Sequence, residues 1–211
     1  MIPAWIIYTI GFLAQFLFSG RIFIQWILSE RAKKVSTPVI FWKLSLIASF
    51  LLFIYGYFRG DFAIMLGQLI TYFIYIRNMQ LQGVFQKFHF FFKFSVLVFP
   101  FIMLGYFLWF SDLQLEYLVS QENIPLYVLT LGIVSQLVFT FRFVYQWIYC
   151  ERTKVSELPM GFWILSLCGS LMILIYAVLR LDPVLFVGHI LGVLAYIRNI
   201  ILLRQEVVSV V

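Results

Sequence analysis

Two stretches of this chain are nearly alike and decide its fold: residues 21–31 read RIFIQWILSER, and residues 142–152 read RFVYQWIYCER. They belong to a longer internal repeat, in which residues 11–82 recur as residues 132–203 without a gap, at a constant offset of 121. The two copies carry the same residue at 27 of these 72 positions, and polar and charged residues are among them. A fold alone would require only the apolar character to recur. The repeat therefore predicts that both halves contribute the same groups to one site, as in repeat-built membrane transporters.

The composition predicts a membrane protein. Hydrophobic residues make up 64% of the chain and charged residues 11%, whereas soluble domains contain about 25% charged residues. A chain of this size cannot bury so much apolar surface in its own core, so lipid must surround it. The net charge of +6 fits cytoplasmic loops better than a nucleic-acid partner, because no basic face with stacking aromatics is evident.

Seven apolar stretches are long enough to cross a membrane as helices, since a spanning helix needs about 20 apolar residues. They are residues 3–28, 39–58, 62–79, 92–110, 126–149, 160–179 and 184–203. They lack the alternation of barrel strands. The first stretch has neither a basic region before it nor a cleavage site after it, so we expect a retained span rather than a signal peptide. The chain is therefore predicted to be an all-α integral membrane protein with seven transmembrane helices.

The loop charges predict the orientation in the membrane. Basic residues concentrate on one side of the seven spans, whereas the other side has only Arg59 and Arg180. Because cytoplasmic loops carry an excess of lysine and arginine, we expect the N-terminus outside and the C-terminus in the cytoplasm.

The repeat unit contains three spans, and the fourth span has no counterpart at the 121 offset. A unit with an odd number of spans would invert its second copy, and the fourth span restores the orientation. We therefore predict a 3+1+3 arrangement of parallel triple-helix bundles, related by an axis along the membrane normal. The predicted domains are residues 1–82 (first repeat), 83–122 (linker with the fourth helix) and 123–211 (second repeat).

Two arginines occupy equivalent positions inside the predicted spans. Arg21 and Arg142 lie about seven residues, or about 10 Å, from the cytoplasmic ends of their helices. Charges inside a membrane are costly and often functional, so we favour two guanidiniums that face the central axis and bind a phosphate or carboxylate. The alternative is that both side chains extend to the headgroups. Gln25 and Gln146 follow one turn later on the same face.

A tryptophan and two serines share one helix face in each repeat, at positions i, i+3 and i+7. An indole and two hydroxyls can stack on a sugar ring and hydrogen-bond its rim, although small serines also permit close helix packing. The predicted substrate-binding residues are therefore Arg21, Gln25, Trp42, Ser45, Ser49, Arg142, Gln146, Trp163, Ser166 and Ser170.

Four motifs occur once in each half: Gln-Trp-Ile-x-x-Glu-Arg, Pro-x-x-Phe-Trp-x-Leu-Ser, Tyr-x-x-x-Arg-x-Asp and Tyr-Ile-Arg-Asn. With them the chain resembles the lipid-A-biosynthesis N-terminal domain family, whose three-span unit occurs in tandem or fused to glycolipid enzymes. The resemblance implies a relation to the SWEET and SemiSWEET sugar transporters and a location in the bacterial inner membrane. It also implies an outer gate, because the third motif matches the gate pattern of SemiSWEETs. The corresponding residues are Tyr55, Arg59, Asp61, Tyr176, Arg180 and Asp182.

Duplicated charged and amide residues also adjoin the predicted cytoplasmic helix ends. Solvated loop charges are the simple interpretation, but opposite charges from the two halves can form an inner gate, because exposed ion pairs contribute only about 0–1 kcal/mol and open easily. The inner-gate candidates are Glu30, Arg77, Asn78, Glu151, Arg198 and Asn199. His189 replaces Gln68 at membrane depth. A buried neutral histidine is the simpler interpretation there, and proton coupling is the alternative.

These patterns favour an alternating-access transporter or flippase for a polar, anionic, sugar-bearing or lipid-linked sugar substrate of cell-envelope glycolipid metabolism. The alternatives are a non-transporting membrane scaffold for a separate glycolipid glycosyltransferase and a carrier of soluble sugars. No catalytic triad, metal-ligand spacing or phosphate loop is visible, so we expect no enzymatic activity, no metal and no cofactor. The expected partners are membrane lipids and the substrate, with a glycosyltransferase in the scaffold hypothesis and no nucleic acid.

Overall fold

The computed structural model describes residues 3–59, 62–110, 125–181 and 183–208. Within these ranges the chain forms seven α-helices and one short 3-10 helix, and it contains no β-strand there. The α-helices are α1 (Ala4–Ala32), α2 (Val39–Arg59), α3 (Phe62–Leu81), α4 (Phe90–Phe110), α5 (Leu126–Thr153), α6 (Met160–Leu179) and α7 (Pro183–Val208), and the 3-10 helix covers Phe85–Lys87. The protein is thus all-helical in the part that the structure describes.

The first helix of each half extends further than its apolar stretch predicts. Helices α1 and α5 continue through Glu30 and Glu151. Each is followed by a lysine in the left-handed conformation, Lys33 with φ 54° and Lys154 with φ 58°, whose backbone N–H groups donate to carbonyls of the last turn. The apolar stretch marks only the part of the helix that can lie in lipid, whereas the backbone hydrogen bonds of the helix continue beyond it. The extra turn carries both glutamates towards the other half of the molecule.

The two halves are built alike and meet through two helix contacts. In the first half α1 packs on α2 and α2 on α3, and in the second half α5 packs on α6 and α6 on α7. Between the halves, α1 contacts α7 and α3 contacts α5. The first helix of each half therefore lies against the third helix of the other. Helix α4 lies beside α2.

An aromatic core joins the halves. The Phe143 ring of α5 lies 5.1 Å from the Tyr75 ring of α3 and 5.3 Å from the Phe162 ring of α6, both in edge-to-face geometry. Trp42 and Trp163 are buried beside this group. Edge-to-face pairs contribute about 0.5–1.5 kcal/mol beyond their buried area. The core thus binds the second half to the first.

The outer surface is strongly apolar. Phe16 is 73% exposed, Phe91 70% and Trp109 84%, and exposed apolar surface of this extent marks contact with a partner or a membrane. In the described part of the chain, α1, α2, α5 and α6 are long and apolar enough to cross a membrane. These four helices are compatible with membrane association. The prediction of seven spans is more detailed than this and stays a prediction.

Candidate functional site

Two buried guanidiniums lie at the centre of the molecule. Helix α1 positions Arg21 and helix α5 positions Arg142, and each residue is only 3% exposed. The guanidinium carbons lie 5.3 Å and 4.7 Å from the centre of one shared ring, Phe143, so they are within 10 Å of each other. The first half has Ile22 at the position that Phe143 occupies in the second. The two arginines therefore flank a single aromatic ring that has no counterpart.

Arg21 lies in an aromatic cage. Its guanidinium carbon is 4.6 Å from the Phe18 ring, 4.9 Å from the Phe41 ring and 5.3 Å from the Tyr75 ring. Its Nη1 donates to the Ser45 hydroxyl. Ring faces attract cations, so the cage offsets part of the cost of burying the charge.

Arg142 lies in the equivalent cage of the second half. Its guanidinium carbon is 3.4 Å from the Phe139 ring, 5.5 Å from the Phe162 ring and 5.8 Å from the Tyr196 ring, each 121 residues after a member of the first cage. Its Nη1 donates to the Tyr196 hydroxyl over 3.2 Å. The polar partners of the two arginines therefore differ. Sequence reasoning did not assign the cage rings to the site, although their recurrence at the same offset was a usable signal.

Below the arginines, two pairs of amides connect the halves. Gln25 Nε2 donates to Asn199 Oδ1 over 2.8 Å, and Asn199 Nδ2 donates back to Gln25 Oε1 over 3.2 Å. Gln146 and Asn78 make the same reciprocal pair, at 2.8 and 3.1 Å. All four residues are fully buried. The predicted substrate-binding glutamines thus direct their amides to the other half of the protein.

Two ion pairs form the next layer. The Arg198 guanidinium binds both oxygens of Glu30, with Nη2 donating to Oε2 over 2.9 Å, and Arg77 binds Glu151 in the same way at 2.9 Å. The indole of Trp26 donates to Glu30 over 3.1 Å. Such two-point contacts are the strong form of the arginine–carboxylate bond. The structure therefore brings the six inner-gate candidates together in contacts between the halves, and their role as a gate stays a prediction.

The predicted tryptophan–serine faces are turned into the bundle. Trp42 and Trp163 are 0% and 1% exposed, and the Trp163 indole donates to the Leu158 carbonyl over 3.1 Å. The serine hydroxyls are engaged within the protein. Ser45 and Ser166 donate to the carbonyls of Phe41 and Phe162, Ser49 donates to the carbonyl of Gln68, and Ser170 lies 3.0 Å from His189 Nδ1.

The outer-gate candidates are described only in part. Tyr176 packs on α5, where a Cβ added at Gly132 would lie 2.7 Å from its ring, and Tyr55 packs in the same way against Gly11. Arg180 is exposed at the end of α6. The Arg59 side chain, Asp61 and Asp182 lie outside the described residues, so the gate contacts predicted for them are not part of this structure.

Comparison with known proteins supplies a functional context. The family model for the lipid A biosynthesis N-terminal domain matches residues 10–80 and 131–201, one segment in each half. The chain is 28% identical over 98% of its length to the lipid-A-disaccharide synthase of Chlamydia pneumoniae, 27% identical over 95% to that of Chlamydia felis, and 27% identical over 98% to that of Chlamydia caviae. It spans about a third of these curated relatives, namely 35%, 34% and 35% of their length. No solved structure matches the chain significantly.

These relatives correct two expectations from the sequence. They are named as synthases of lipid A biosynthesis, so the expectation of an alternating-access transporter or flippase is wrong, and the scaffold and soluble-sugar carrier are not supported either. The expectation that the protein is not an enzyme is contradicted by the same relatives. The error has a physical reason: an internal repeat with paired charges at membrane depth provides a polar site between two halves, and such a site does not by itself distinguish moving a substrate from converting it.

Proposed function

Because the chain belongs to the lipid A biosynthesis N-terminal domain family, we propose that it acts in the synthesis of the lipid A disaccharide, as the membrane-embedded part that holds a lipid-linked sugar. One observation carries this proposal. The alignments with lipid-A-disaccharide synthases extend over 95–98% of the chain and so include both halves and the centre between them. The arginines, amides and ion pairs described above all lie within the aligned part.

Sugar transfer itself is assigned in this proposal to a glycosyltransferase part that corresponds to the remaining two thirds or so of the relatives. The helices then bind the substrate and do not take part in the transfer step. They keep a lipid-linked sugar at the membrane and present its polar head. The enzyme as a whole, and not the helical part alone, carries out the reaction.

The surface and the charges of the molecule support a membrane location. The exposed phenylalanines and tryptophan suit acyl chains, while the buried polar centre suits a headgroup. We infer that all seven helices cross the bacterial inner membrane as a 3+1+3 arrangement, with the N-terminus outside and the C-terminus in the cytoplasm. The layer of Glu30–Arg198 and Glu151–Arg77 pairs then faces the cytoplasm, in keeping with the positive-inside rule.

Depletion of the chain in the cells that make it tests the proposed function. Lipid extracts are analysed by mass spectrometry, and the lipid A disaccharide is expected to fall several-fold while single-sugar precursors accumulate. Re-expression of the wild-type chain should restore the disaccharide. An unchanged ratio of disaccharide to precursors after complete depletion would rule out a role in this synthesis.

A further inference from the structure

Arg21 and Arg142 carry two positive charges into the centre of the molecule, and no carboxylate among the described residues forms an ion pair with either of them. In the part of the chain that the structure describes, the salt bridges are Arg77–Glu151, Lys154–Glu151 and Arg198–Glu30, all in the layer beyond the amide pairs. Both arginines are 97% buried, since each is 3% exposed. Buried charges are stable only when an opposite charge or several hydrogen bonds compensate for the lost water.

Hydrogen bonds within the protein satisfy only a small part of each guanidinium. Among the described residues, Arg21 donates to the Ser45 hydroxyl and Arg142 to the Tyr196 hydroxyl. The Nε atoms of both arginines are buried and have no hydrogen-bond partner there. The aromatic cages stabilise the positive charge, but a ring face is a weak acceptor for N–H donors. Each cage therefore leaves unused donors on a buried cation.

We propose that Arg21 and Arg142 form a binding site for a phosphate group, held between the two halves beside Phe143. Two guanidiniums within 10 Å of each other match the double negative charge of a phosphate monoester or diphosphate, and the planar fork of arginine binds phosphate oxygens in pairs. The low dielectric of a buried site strengthens this attraction relative to an exposed one. The inference rests on the proposed function in one respect only: it takes the phosphate to belong to the headgroup of a lipid-linked sugar.

The hydroxyl groups that accept from the two arginines differ in whether they can also donate to a phosphate. Ser45 accepts from Arg21 and donates its proton to the Phe41 carbonyl, so it has no proton left to donate to a ligand. The Tyr196 hydroxyl accepts from Arg142, and its proton has no acceptor among the described residues. It is therefore free to donate to a phosphate oxygen, which makes Tyr196 a third member of the site.

Calorimetric titration of the purified full chain in an uncharged maltoside detergent tests the site. The probes are dihexanoyl phosphatidic acid, uncharged dihexanoylglycerol and inorganic phosphate. Saturable binding of the phosphatidic acid and none of dihexanoylglycerol supports the phosphate site. If inorganic phosphate competes with the phosphatidic acid and binds as strongly, the phosphate site is supported, but its ligand is free phosphate rather than a lipid headgroup. The absence of saturable binding of either phosphate probe to the wild-type chain overturns the proposal.

Matched variants locate the binding. The double variant Arg21→Lys with Arg142→Lys keeps both charges but loses the planar guanidinium groups. It should weaken phosphate binding by about tenfold or more. The control carries Arg31→Lys with Arg152→Lys, an equivalent pair on the same two helices that is exposed, and it should bind as the wild type does. Equal binding by the two double variants overturns the proposal. If the variant with both arginines replaced does not fold, Tyr196→Phe takes its place. Tyr196→Phe should weaken phosphate binding a few-fold, and binding equal to that of the control variant would overturn the proposal.

The results separate this inference from the proposed function. Loss of the lipid A disaccharide on depletion, without phosphate binding by the purified chain, would refute the site and leave the function intact. Phosphate binding without any effect of depletion on lipid A would refute the function and leave the site intact.

Discussion

At the scale of single residues, the contact between the halves depends on buried amides, each of which exchanges two hydrogen bonds with an amide of the other half. Gln25 and Asn199 exchange two hydrogen bonds, and Gln146 and Asn78 do the same. A buried polar group that loses its partner costs about 1–3 kcal/mol, whereas removing both partners together can be nearly neutral. The amides therefore restrict how the halves can pair more than they add to stability.

A double-mutant cycle tests this role of the amides. Gln25→Leu and Asn199→Leu should each lower the free energy of unfolding by about 1–3 kcal/mol, and the double variant should cost less than their sum by about 0.5–3 kcal/mol. Denaturant titration in mixed micelles measures the effect. Gln136→Leu, at an exposed position of α5, is the control and should change little. Strictly additive costs would contradict a direct pair.

The recurrence of polar residues predicted several members of the central cluster, but not their partners. Arg21 and Gln25 were recognisable because a charged or amide residue repeated inside an apolar stretch needs a reason. Gln25 can hydrogen-bond Asn199 only because α1 lies against α7. The spacing of residues within one helix does not predict which other helix it will contact. The repeat did not predict a role for Phe143, because Ile22 stands at the equivalent position of the first half. Only residues that recur in both halves are marked by the repeat.

At the scale of helices, close packing within each half uses small residues. Gly169 of α6 faces the backbone of Phe139 in α5, and a Cβ added there would lie 2.9 Å from the Phe139 Cα. Gly20 of α1 has no such neighbour within 4 Å. A methyl group at the first position must therefore push two helices apart, whereas at the second it meets open space.

Opposite effects are therefore expected for the same substitution at the two glycines. Gly169→Ala should destabilise the protein by about 1–3 kcal/mol through overpacking. Gly20→Ala should be neutral or stabilising by up to about 1 kcal/mol, because alanine favours the helix. Thermal unfolding in detergent compares them directly. A stability of Gly169→Ala equal to the wild type would show that α5 and α6 are less closely packed than described.

The ion pair between α1 and α7 joins two helices that are far apart in the sequence. Glu30→Arg and Arg198→Glu should each lower the unfolding temperature, and combining them should restore most of the loss, because the swapped charges can pair again. The pair is partly exposed, with 34% and 39% of the side chains accessible, so the effect should be small and should shrink at high salt. Failure of the double swap to recover stability would indicate that the charges act separately.

At the scale of the whole molecule, the ion pair and the amide pair that connect the halves each occur twice among the described residues. The first helix of each half supplies a glutamate and a glutamine, and the third helix supplies an arginine and an asparagine. Apolar runs and the 121 offset predicted the helices and their division into halves. The closure of α1 on α7 and of α3 on α5 depends instead on the fit of the aromatic core, which composition does not specify.

Separate expression of the two halves tests this closure. Residues 1–110 and 123–211, produced together with an affinity tag on one piece, should copurify in detergent because two ion pairs, two amide pairs and the Tyr75–Phe143 contact connect them. Pieces with Gln25→Leu and Gln146→Leu should copurify less well. Independent elution of two pieces that each insert into membranes would show that the chain connection is needed to hold the halves together.

The Phe143 ring has a consequence for how a guest would sit between the halves. Two identical halves related by a two-fold axis would offer a bound molecule two poses related by that axis, and would bind them equally. A single ring on one side removes that equivalence, and the unlike hydroxyls of Ser45 and Tyr196 reinforce the difference. A molecule bound between the halves would then prefer one of these two poses, because its polar groups meet different partners on the two sides.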